Sequence, residues 1–558
     1  AAERPNVVLF MVDDLGWRDT GAYGSRYYET PTVNRLAGQG MRFNRAYAAA
    51  AMCSPTRAAL MTGKNPARLH LTNWIPGWNA GRELPLREPE WTPYLPLEET
   101  TLAEVFRAHG YATGHIGKWH LGDGAALTPD RQGFDVNIAG YWEPGGGGRP
   151  YTYFSPYRNP LLPDGPKGEY LTDRLTDEAL SFMDAHAEKP FFLYLSHFAV
   201  HAPHQGKPDL EEKYHAKPRL DQRAGDRTAR YAAMIESVDD SLARVLAKLD
   251  ELGLAEDTIV VFTSDNGGLH LATSNAPLRA GKATAYEGGL RIPLIVRAPG
   301  AVDPGTVCEE PVVTHDLYPT LLGLAGLKDA AGRGIDGVDL GPLLRGGDGI
   351  GRDTLCWHFP HYHPYSPPYS VIMRGRWKLI EYLEDGTLEL YDLRDDPGET
   401  RNLARSHAEK TEELHRRLVE WREDVGAQMP RPNPAFDPER DGSVPVMGVA
   451  AVGKAASSPA PRRDRLMNRG WTFTYGEGPE TDVLSRYHKA RRFKGTSADV
   501  GYDDSDWRSL DLPHDFVVEG KIGPEHNFVR GGLPYGVGYY RRTFVLPEEA
   551  EGRRIALR

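Results

Sequence analysis

Three short, unbroken apolar runs, each ending abruptly in acids, amides or histidines, restrict what this chain can become. Val7-Val8-Leu9-Phe10-Met11-Val12 stops at Asp13-Asp14, and Phe191-Phe192-Leu193-Tyr194-Leu195 stops at Ser196-His197, with His201 close behind. Ile259-Val260-Val261-Phe262 stops at Thr263-Ser264-Asp265-Asn266, and a weaker run from Tyr111 to Ile116 leads into Lys118 and His120. A strand with one wet face alternates apolar and polar residues; an unbroken run suits a strand covered on both faces, as in parallel α/β sheets. Helical periodicity lies between the runs: Leu102, Val105 and Phe106 share a face, as do Ile235, Val238, Leu242, Val245, Leu246 and Leu249. Strand–helix–strand alternation predicts an α/β fold with a doubly wound sheet. Ligands of such sheets bind beyond the carboxyl ends of the strands. Here those ends carry Asp13-Asp14, His201 and Asp265-Asn266.

The chain has 558 residues, enough for about three or four domains. The α/β region is assigned to residues 1–365. From about Val371 the texture changes: Val371-Ile372-Met373, Trp377-Lys378-Leu379-Ile380 and Leu388-Glu389-Leu390-Tyr391 read as short antiparallel strands around the turn Glu384-Asp385-Gly386. A charged helix over 406–425 completes a small antiparallel α+β subdomain at 366–429. Residues 430–463 are rich in Pro, Ala, Gly and Ser without periodicity, which predicts a linker. Beyond it Trp471, Phe473 and Tyr475 alternate with polar residues, and Trp507 and the run from Gly538 to Val545 follow. That pattern predicts a partial β-sandwich at 464–558.

Composition narrows the function. The 66 Lys+Arg against 77 Asp+Glu give a net charge of −11, which argues against a nucleic-acid binder. No stretch approaches the roughly 18 uninterrupted apolar residues of a membrane span. The 11 Trp, 27 Tyr and 17 Phe exclude a wholly disordered chain. Cys53, Cys308 and Cys356 are too few for a disulfide framework, although one pair plus an odd thiol stays open. The opening Ala-Ala-Glu-Arg-Pro has the form of a chain whose export signal has been removed, so a periplasmic or secreted location is expected.

The densest motif is Cys53-Ser54-Pro55-Thr56-Arg57-Ala58-Ala59-Leu60-Met61-Thr62-Gly63. Alone, Cys53 reads as a small buried apolar residue, Asp13-Asp14 as a turn, and Lys118, His120 and Lys282 as solvated side chains. Their joint occurrence says otherwise. The run matches the sulfatase signature, whose Cys-x-Pro-x-Arg core is oxidised to formylglycine. With Asp13-Asp14, Gly117-Lys118-Trp119-His120, His201-Ala202-Pro203, Asp265-Asn266-Gly267, Gly281-Lys282 and Tyr286-Glu287-Gly288-Gly289 in family order, the chain resembles the type I sulfatases of the alkaline phosphatase superfamily over about residues 4–425. Thr56, where many relatives have Ser, is a conservative departure.

The resemblance implies a mixed sheet and a specific chemistry. Asp13, Asp14, Asp265 and Asn266 are hard oxygen donors suited to Ca²⁺, with Mg²⁺ possible. A sulfate ester is anionic, so its charge must be offset, and Arg57, Lys118 and Lys282 supply positive charge. By resemblance, Arg57 also fixes the formylglycine made from Cys53 and Asp265 accepts its proton. His201 with Lys282 protonates the leaving oxygen, and His120 takes the second proton as sulfate departs. The maturation partner implied is a formylglycine-generating enzyme.

Substrate contacts are less defined. The segment from Trp357 to Tyr365 holds His358, His361 and His363 among aromatics, which suits a sugar subsite, a structural loop or a metal site, although it fits no standard zinc spacing. His204, His358, His361, Arg279 and Trp142 are the candidate substrate-binding residues; Trp74 and Trp78 stand in similar Gly/Pro-rich loops, and Gly145–Gly148 reads as a flexible loop. Residues 464–558 resemble the sugar-binding sandwich that opens family 2 glycoside hydrolases, through Leu512-Pro513-His514-Asp515-Phe516 and Leu533-Pro534-Tyr535-Gly536-Val537-Gly538-Tyr539-Tyr540-Arg541. The expected function is exo-hydrolysis of sulfate esters on a glycan, with galactose or N-acetylgalactosamine sulfates leading. The alternatives are a phosphonate monoester or phosphodiester hydrolase and a non-catalytic glycan-binding protein.

Overall fold

The computed structural model describes residues 4–438 apart from 81, 82, 123, 125, 142–147, 219–225, 331 and 333, and beyond them the backbone of three strands. In chain order the first strands are β1 (Asn6–Val12), β2 (Met41–Tyr47), β3 (Leu86–Arg87), β4 (Ala112–Gly117), β5 (Val136–Ile138), β6 (Phe191–Ser196), β7 (Thr258–Ser264), β8 (Arg291–Arg297), β9 (Thr306–Cys308) and β10 (Val312–Val313). All but β3 build a mixed sheet ordered β10-β2-β8-β7-β1-β6-β4-β5, with β9 also on β2. β1 lies between β6 and β7, parallel to both, with Leu9 opposite Tyr194 and Val261. β8 runs antiparallel to β2 and β7.

The unbroken apolar runs have the predicted cause. Side chains alternate across a strand, and both faces of β1 are covered. Val8, Phe10 and Val12 enter one core with Leu175 and Met183 of the helix Leu171–Ala185 and Leu242 and Val245 of the helix Asp226–Glu251. Val7, Leu9 and Met11 enter the other, with Leu102 and Phe106. The helix Leu102–Ala108 begins with a reciprocal cap: Thr101 Oγ1 accepts from the Glu104 N–H (3.1 Å) and Glu104 Oε2 accepts from the Thr101 N–H (2.8 Å). All six apolar positions expected between Tyr231 and Leu252 are buried. Among the described residues no helix is long and apolar enough to cross a membrane.

A second sheet follows, β11 (Thr354–Phe359), β12 (Tyr369–Arg374), β13 (Trp377–Tyr382) and β14 (Leu388–Asp392), antiparallel throughout. Leu414 and Leu418 of the helix Ala408–Asp424 cover one face against Ile372, Leu379 and Leu390. The other face, with Trp357, Phe359, Val371 and Ile380, packs on Tyr47, Met52, Ala59 and Tyr286. The three expected strands and the helix are present, and β11 adds a fourth where aromatics and histidines had suggested a binding loop. Arg431–Pro432 (β15), which composition assigns to a linker, pairs with β3, and Asn433 Nδ2 donates to Glu83 Oε2 at 2.8 Å. The chain divides after Phe436, and a second unit holds an antiparallel sheet of Trp471–Tyr475 between Arg508–Leu510 and Gly538–Arg541. The remainder of the expected sandwich lies outside the described residues.

Candidate active site

The carboxyl ends of β1, β7, β6 and β4 open on one rim, as the sheet order requires, and the helix Cys53–Thr62 starts there on Cys53 itself. Thr56 ties the preceding loop down: its Oγ1 accepts from the Ala50 N–H (3.1 Å) and donates to the Ala50 carbonyl (2.9 Å). A serine hydroxyl could do the same, which explains why Thr is tolerated. β4 can pass close enough to β6 because Gly117 lacks a side chain; a Cβ there would lie 1.9 Å from Ser196 O, at φ +110°. Asp14 (φ +62°) and His120 (φ +59°) hold left-handed conformations unfavourable for residues with a Cβ, the kind of local strain that gathers at functional sites.

Cys53, Asp13, Asp14 and His201 converge, each offering an atom within 4.8 Å of the others. Lys282 Nζ bridges Asp14 Oδ1 (2.5 Å) and Cys53 Sγ (3.3 Å). Lys118 Nζ donates to Asp13 Oδ2 at 2.5 Å, and Asn266 Nδ2 to Asp14 Oδ1 at 2.9 Å. Asp265 closes the group: its Oδ1 accepts from the Asp14 N–H (3.1 Å) and its Oδ2 from Arg57 Nε and Nη2 (2.9 and 2.7 Å). Arg57 is fully buried, and Nη1 goes to Lys118 O and Ser196 Oγ (3.0 and 2.5 Å). Its fork therefore clamps Asp265, and its charge also acts on Cys53.

Two buried acceptors in this cluster, Asp13 Oδ1 and Asn266 Oδ1, have no hydrogen-bond donor. Buried polar atoms are nearly always partnered. A carboxylate oxygen and an amide oxygen, both buried and without a donor in a cluster rich in carboxylates, suit a hard divalent cation, so the donor set fits the metal expected here.

Electrostatics follow from dense charge in a buried place. Burial, with Asp265 beside it, pushes Asp13 well above the carboxylate range. Asp14 is also lifted by burial, yet Lys282 and His201 outweigh that and hold it low. Burial opposes ionisation of Asp265, but Arg57 and Lys118 keep it below the ordinary value. Burial raises the Cys53 thiol to about 11 against the pull of Lys118 and Lys282. His201 is driven down to about 3 by burial and then Lys282, and His120 well below its usual value by burial and then Lys118. A carbonyl can only accept, so His120 Nε2 at 2.6 Å from Ile75 O, and His201 Nδ1 at 2.8 Å from Ala202 O, must carry protons. The lone pairs then sit on His120 Nδ1 and His201 Nε2, the latter 3.7 Å from Asp14 Oδ2.

The substrate-binding candidates fare differently. His358 is buried on β11, its ring nitrogens 2.8 Å from Ser370 Oγ and 2.9 Å from Gln428 O. His361 is fully buried between Thr72 Oγ1 and Glu88 Oε2, both at 2.8 Å. Arg279 lies 3.8 Å over the Tyr286 ring and donates to Tyr391 OH and Glu399 O. Both ring nitrogens of His358 and of His361 are thus bound within the protein, whereas Arg279 is half-buried and engaged through Nη1. His204 stays partly open, its ring 5.7 Å from Tyr231. Trp142 lies outside the described residues. The histidine of the aromatic segment that feels the site is His363, pushed down to about 3 by burial and then by Lys282.

Sequence reading missed a buried clamp on the segment that follows Lys282. Lys378 of β13 is fully buried between Glu287 Oε1 (3.0 Å) and Glu399 Oε1 (2.9 Å), and Glu399 Oε2 accepts from the Glu287 N–H (2.7 Å). Glu287 also accepts from Tyr47 OH at 3.0 Å. Three residues far apart in sequence thus pin the segment that follows Lys282, and only Glu287 sat in a recognisable motif.

Comparisons agree with this geometry. A family model described as Sulfatase matches residues 5–327, and one described as N-sulphoglucosamine sulphohydrolase, C-terminal, matches 281–424. A sulfatase of Formosa agariphila is 34% identical over 72% of this chain and 85% of its own length. Human N-acetylgalactosamine-6-sulfatase is 33% identical over 75% of this chain and 84% of its own. The structure of Ps i-CgsB with k-i-k-neocarrahexaose is similar at a TM-score of 0.62 and 28% identity, over 75% of this chain and 92% of that one. The converging strand ends, the helix that begins on Cys53 and these matches agree: the chain belongs to the sulfatase family and is a sulfuric ester hydrolase.

Proposed function

We infer that this enzyme removes sulfate from a glycan by exo-action, with a sulfated galactose or N-acetylgalactosamine as the residue attacked, using Ca²⁺ and a formylglycine made from Cys53. The observation that carries the reading is the convergence of Cys53, Lys282, Asp14 and His201 on one buried point. The human N-acetylgalactosamine-6-sulfatase and the hexasaccharide-bound neighbour support a glycan substrate. A thiol held near 11 is protonated at neutral pH and so a poor nucleophile, which favours conversion of Cys53 over thiolate chemistry.

Asp13, Asp14, Asp265 and Asn266 would hold the metal, and Asp13 Oδ1 and Asn266 Oδ1 are the acceptors best placed to do so. When present, Ca²⁺ supplies positive charge beside the sulfate oxygens and formylglycine supplies a hydrated-aldehyde oxygen nucleophile. The chain's own groups do the rest. Arg57 keeps Asp265 ionised and aimed, so that Oδ1 can receive a proton, weakly basic as it is. Lys282 offsets charge at residue 53 and is the protonated member of the pair it forms with His201, so the proton for the leaving oxygen starts on Lys282. His201 Nε2, which holds a lone pair, can relay it, and His120 Nδ1 removes one as sulfate departs. His204 remains a candidate substrate contact.

Residues 1–365 are taken as the catalytic domain, 366–429 as its C-terminal subdomain, 430–463 as a linker whose first residues pair back onto β3, and 464–558 as a partial sandwich like that of family 2 glycoside hydrolases. A formylglycine-generating enzyme is the maturation partner, and the location is periplasmic or secreted. The test is sulfate release from 3-, 4- and 6-sulfated galactose and N-acetylgalactosamine by protein co-produced with that enzyme, with conversion read by peptide mass. Release from one isomer is expected. Cleavage of phosphodiesters or phosphonates instead would overturn the reading.

A further inference from the structure

Between the two histidines assigned to proton transfer, the chain lays a short bridge. Gly148 packs so closely on His120 that a Cβ there would lie 2.3 Å from Nδ1. Further along, the Tyr153 hydroxyl reaches His201 O (2.8 Å) and Phe198 O (2.7 Å), while the Tyr153 N–H and Thr152 Oγ1 donate to Gln205 Oε1 at 2.8 and 3.1 Å. Both ends of the bridge are thus anchored to the site. Between them Tyr151 is 67% exposed, the most exposed of the large apolar side chains among the described residues. The Arg158 guanidinium stacks 4.2 Å from its ring centroid. Arg158 is exposed and carries no ion pair with a described residue. Chain reach alone keeps Tyr151 within about 11 Å of Gly148 and about 7 Å of Tyr153, at ~3.6 Å per residue.

A lone exposed tyrosine needs no explanation. An open ring beside an unneutralised guanidinium, fastened at both ends to the histidines of a site for anions, is a different object. We propose that Tyr151 and Arg158 form a subsite for the sugar next to the sulfated one in an anionic glycan. The ring takes the apolar face of the pyranose, and the guanidinium pairs with its carboxylate or sulfate, which suits a planar fork. The subsite rests on the sulfatase reading above and adds that the preferred substrate is longer than one sugar.

The test compares sulfate release from N-acetylgalactosamine 6-sulfate, from the chondroitin 6-sulfate trisaccharide that ends in it, and from the carboxyl-reduced trisaccharide. Arg158 sits at φ +56°, where Asn is tolerated, so Arg158→Asn removes the charge without straining the turn. Tyr151→Ala and Arg158→Asn should each raise KM for the native trisaccharide about tenfold, leave kcat unchanged, and leave the monosaccharide unaffected. Tyr151→Trp should restore the trisaccharide KM, and carboxyl reduction should cancel the effect of Arg158→Asn. Unchanged trisaccharide kinetics in both variants would overturn the subsite, as would equal losses on both substrates, which would mark the pair as a loop staple. Parent protein that turns over the monosaccharide without preferring the trisaccharide overturns the subsite alone. Parent protein that releases no sulfate from any of the three overturns it together with N-acetylgalactosamine 6-sulfate as the residue attacked.

Discussion

Cys53 Sγ and Lys282 Nζ stand 3.3 Å apart, and the chemistry proposed here depends on what replaces that sulfur. Cys53→Ala removes the nucleophile without disturbing the neighbouring packing, so sulfate release should vanish while the melting temperature holds. Residual activity within about tenfold of the parent, a loss of only about 1.4 kcal/mol, would contradict the mechanism. Gly148→Ala probes His120 from outside: the new methyl must displace the ring. A fall in kcat of about a hundredfold with KM little changed is expected, the usual yield of a positioned proton-transfer group. The site's charged residues could be read from the sequence because they end buried strands or sit in dense motifs. The errors came where partners are remote. Nothing near His358 or His361 announces Gln428 or Glu88, so their aromatic setting suggested a sugar when it was a core.

The second sheet shows why such partners matter. Lys378 lies where β13 meets the segment after Lys282, and removing it leaves two buried carboxylates facing each other. Lys378→Met should cost about 3–5 kcal/mol in urea unfolding and depress sulfate release along with it. The clamp also sets a pH dependence. Burial, eased by Lys378 and reinforced by Glu287, lifts Glu399 from 4.5 to about 7. The folded chain therefore keeps a proton that the unfolded chain gives up. That contribution is complete below about pH 4.5 and is lost as pH rises through about 7. Glu399→Gln should flatten the decline in unfolding midpoint across that window; an unchanged slope would assign it elsewhere. β12, β13 and β14 were readable from alternation around a turn. β11 was not, because its His358 is buried and engaged by Ser370 and Gln428, groups remote in sequence.

On the proposed metal site, the folded chain as a whole should respond to Ca²⁺. Asp13 Oδ1 and Asn266 Oδ1 gain partners when the cation binds, so Ca²⁺ at 100 times Kd should add about 2.7 kcal/mol to stability. A melting series with Ca²⁺ and with chelator measures this, and Asn266→Ala should abolish most of the shift. The cores behind the site lie within the first unit. A chain ending at residue 438 is therefore expected to keep sulfate release on small substrates within about twofold, a change of roughly 0.4 kcal/mol.

The burial of Cys53 imposes a schedule. In the finished fold it is 2% exposed, and its neighbours Ala51, Met52 and Ala59 are roofed by the sheet that begins at Thr354. An enzyme that must grip this thiol can do so only while that roof is missing. Glu399, the last member of the clamp, is encoded about 350 residues after Cys53. At about 5–20 residues per second, synthesis leaves roughly 20 to 70 s between the two. On the proposed conversion of Cys53, maturation is a race against the ribosome, and slowing elongation downstream of the signature should raise the converted fraction.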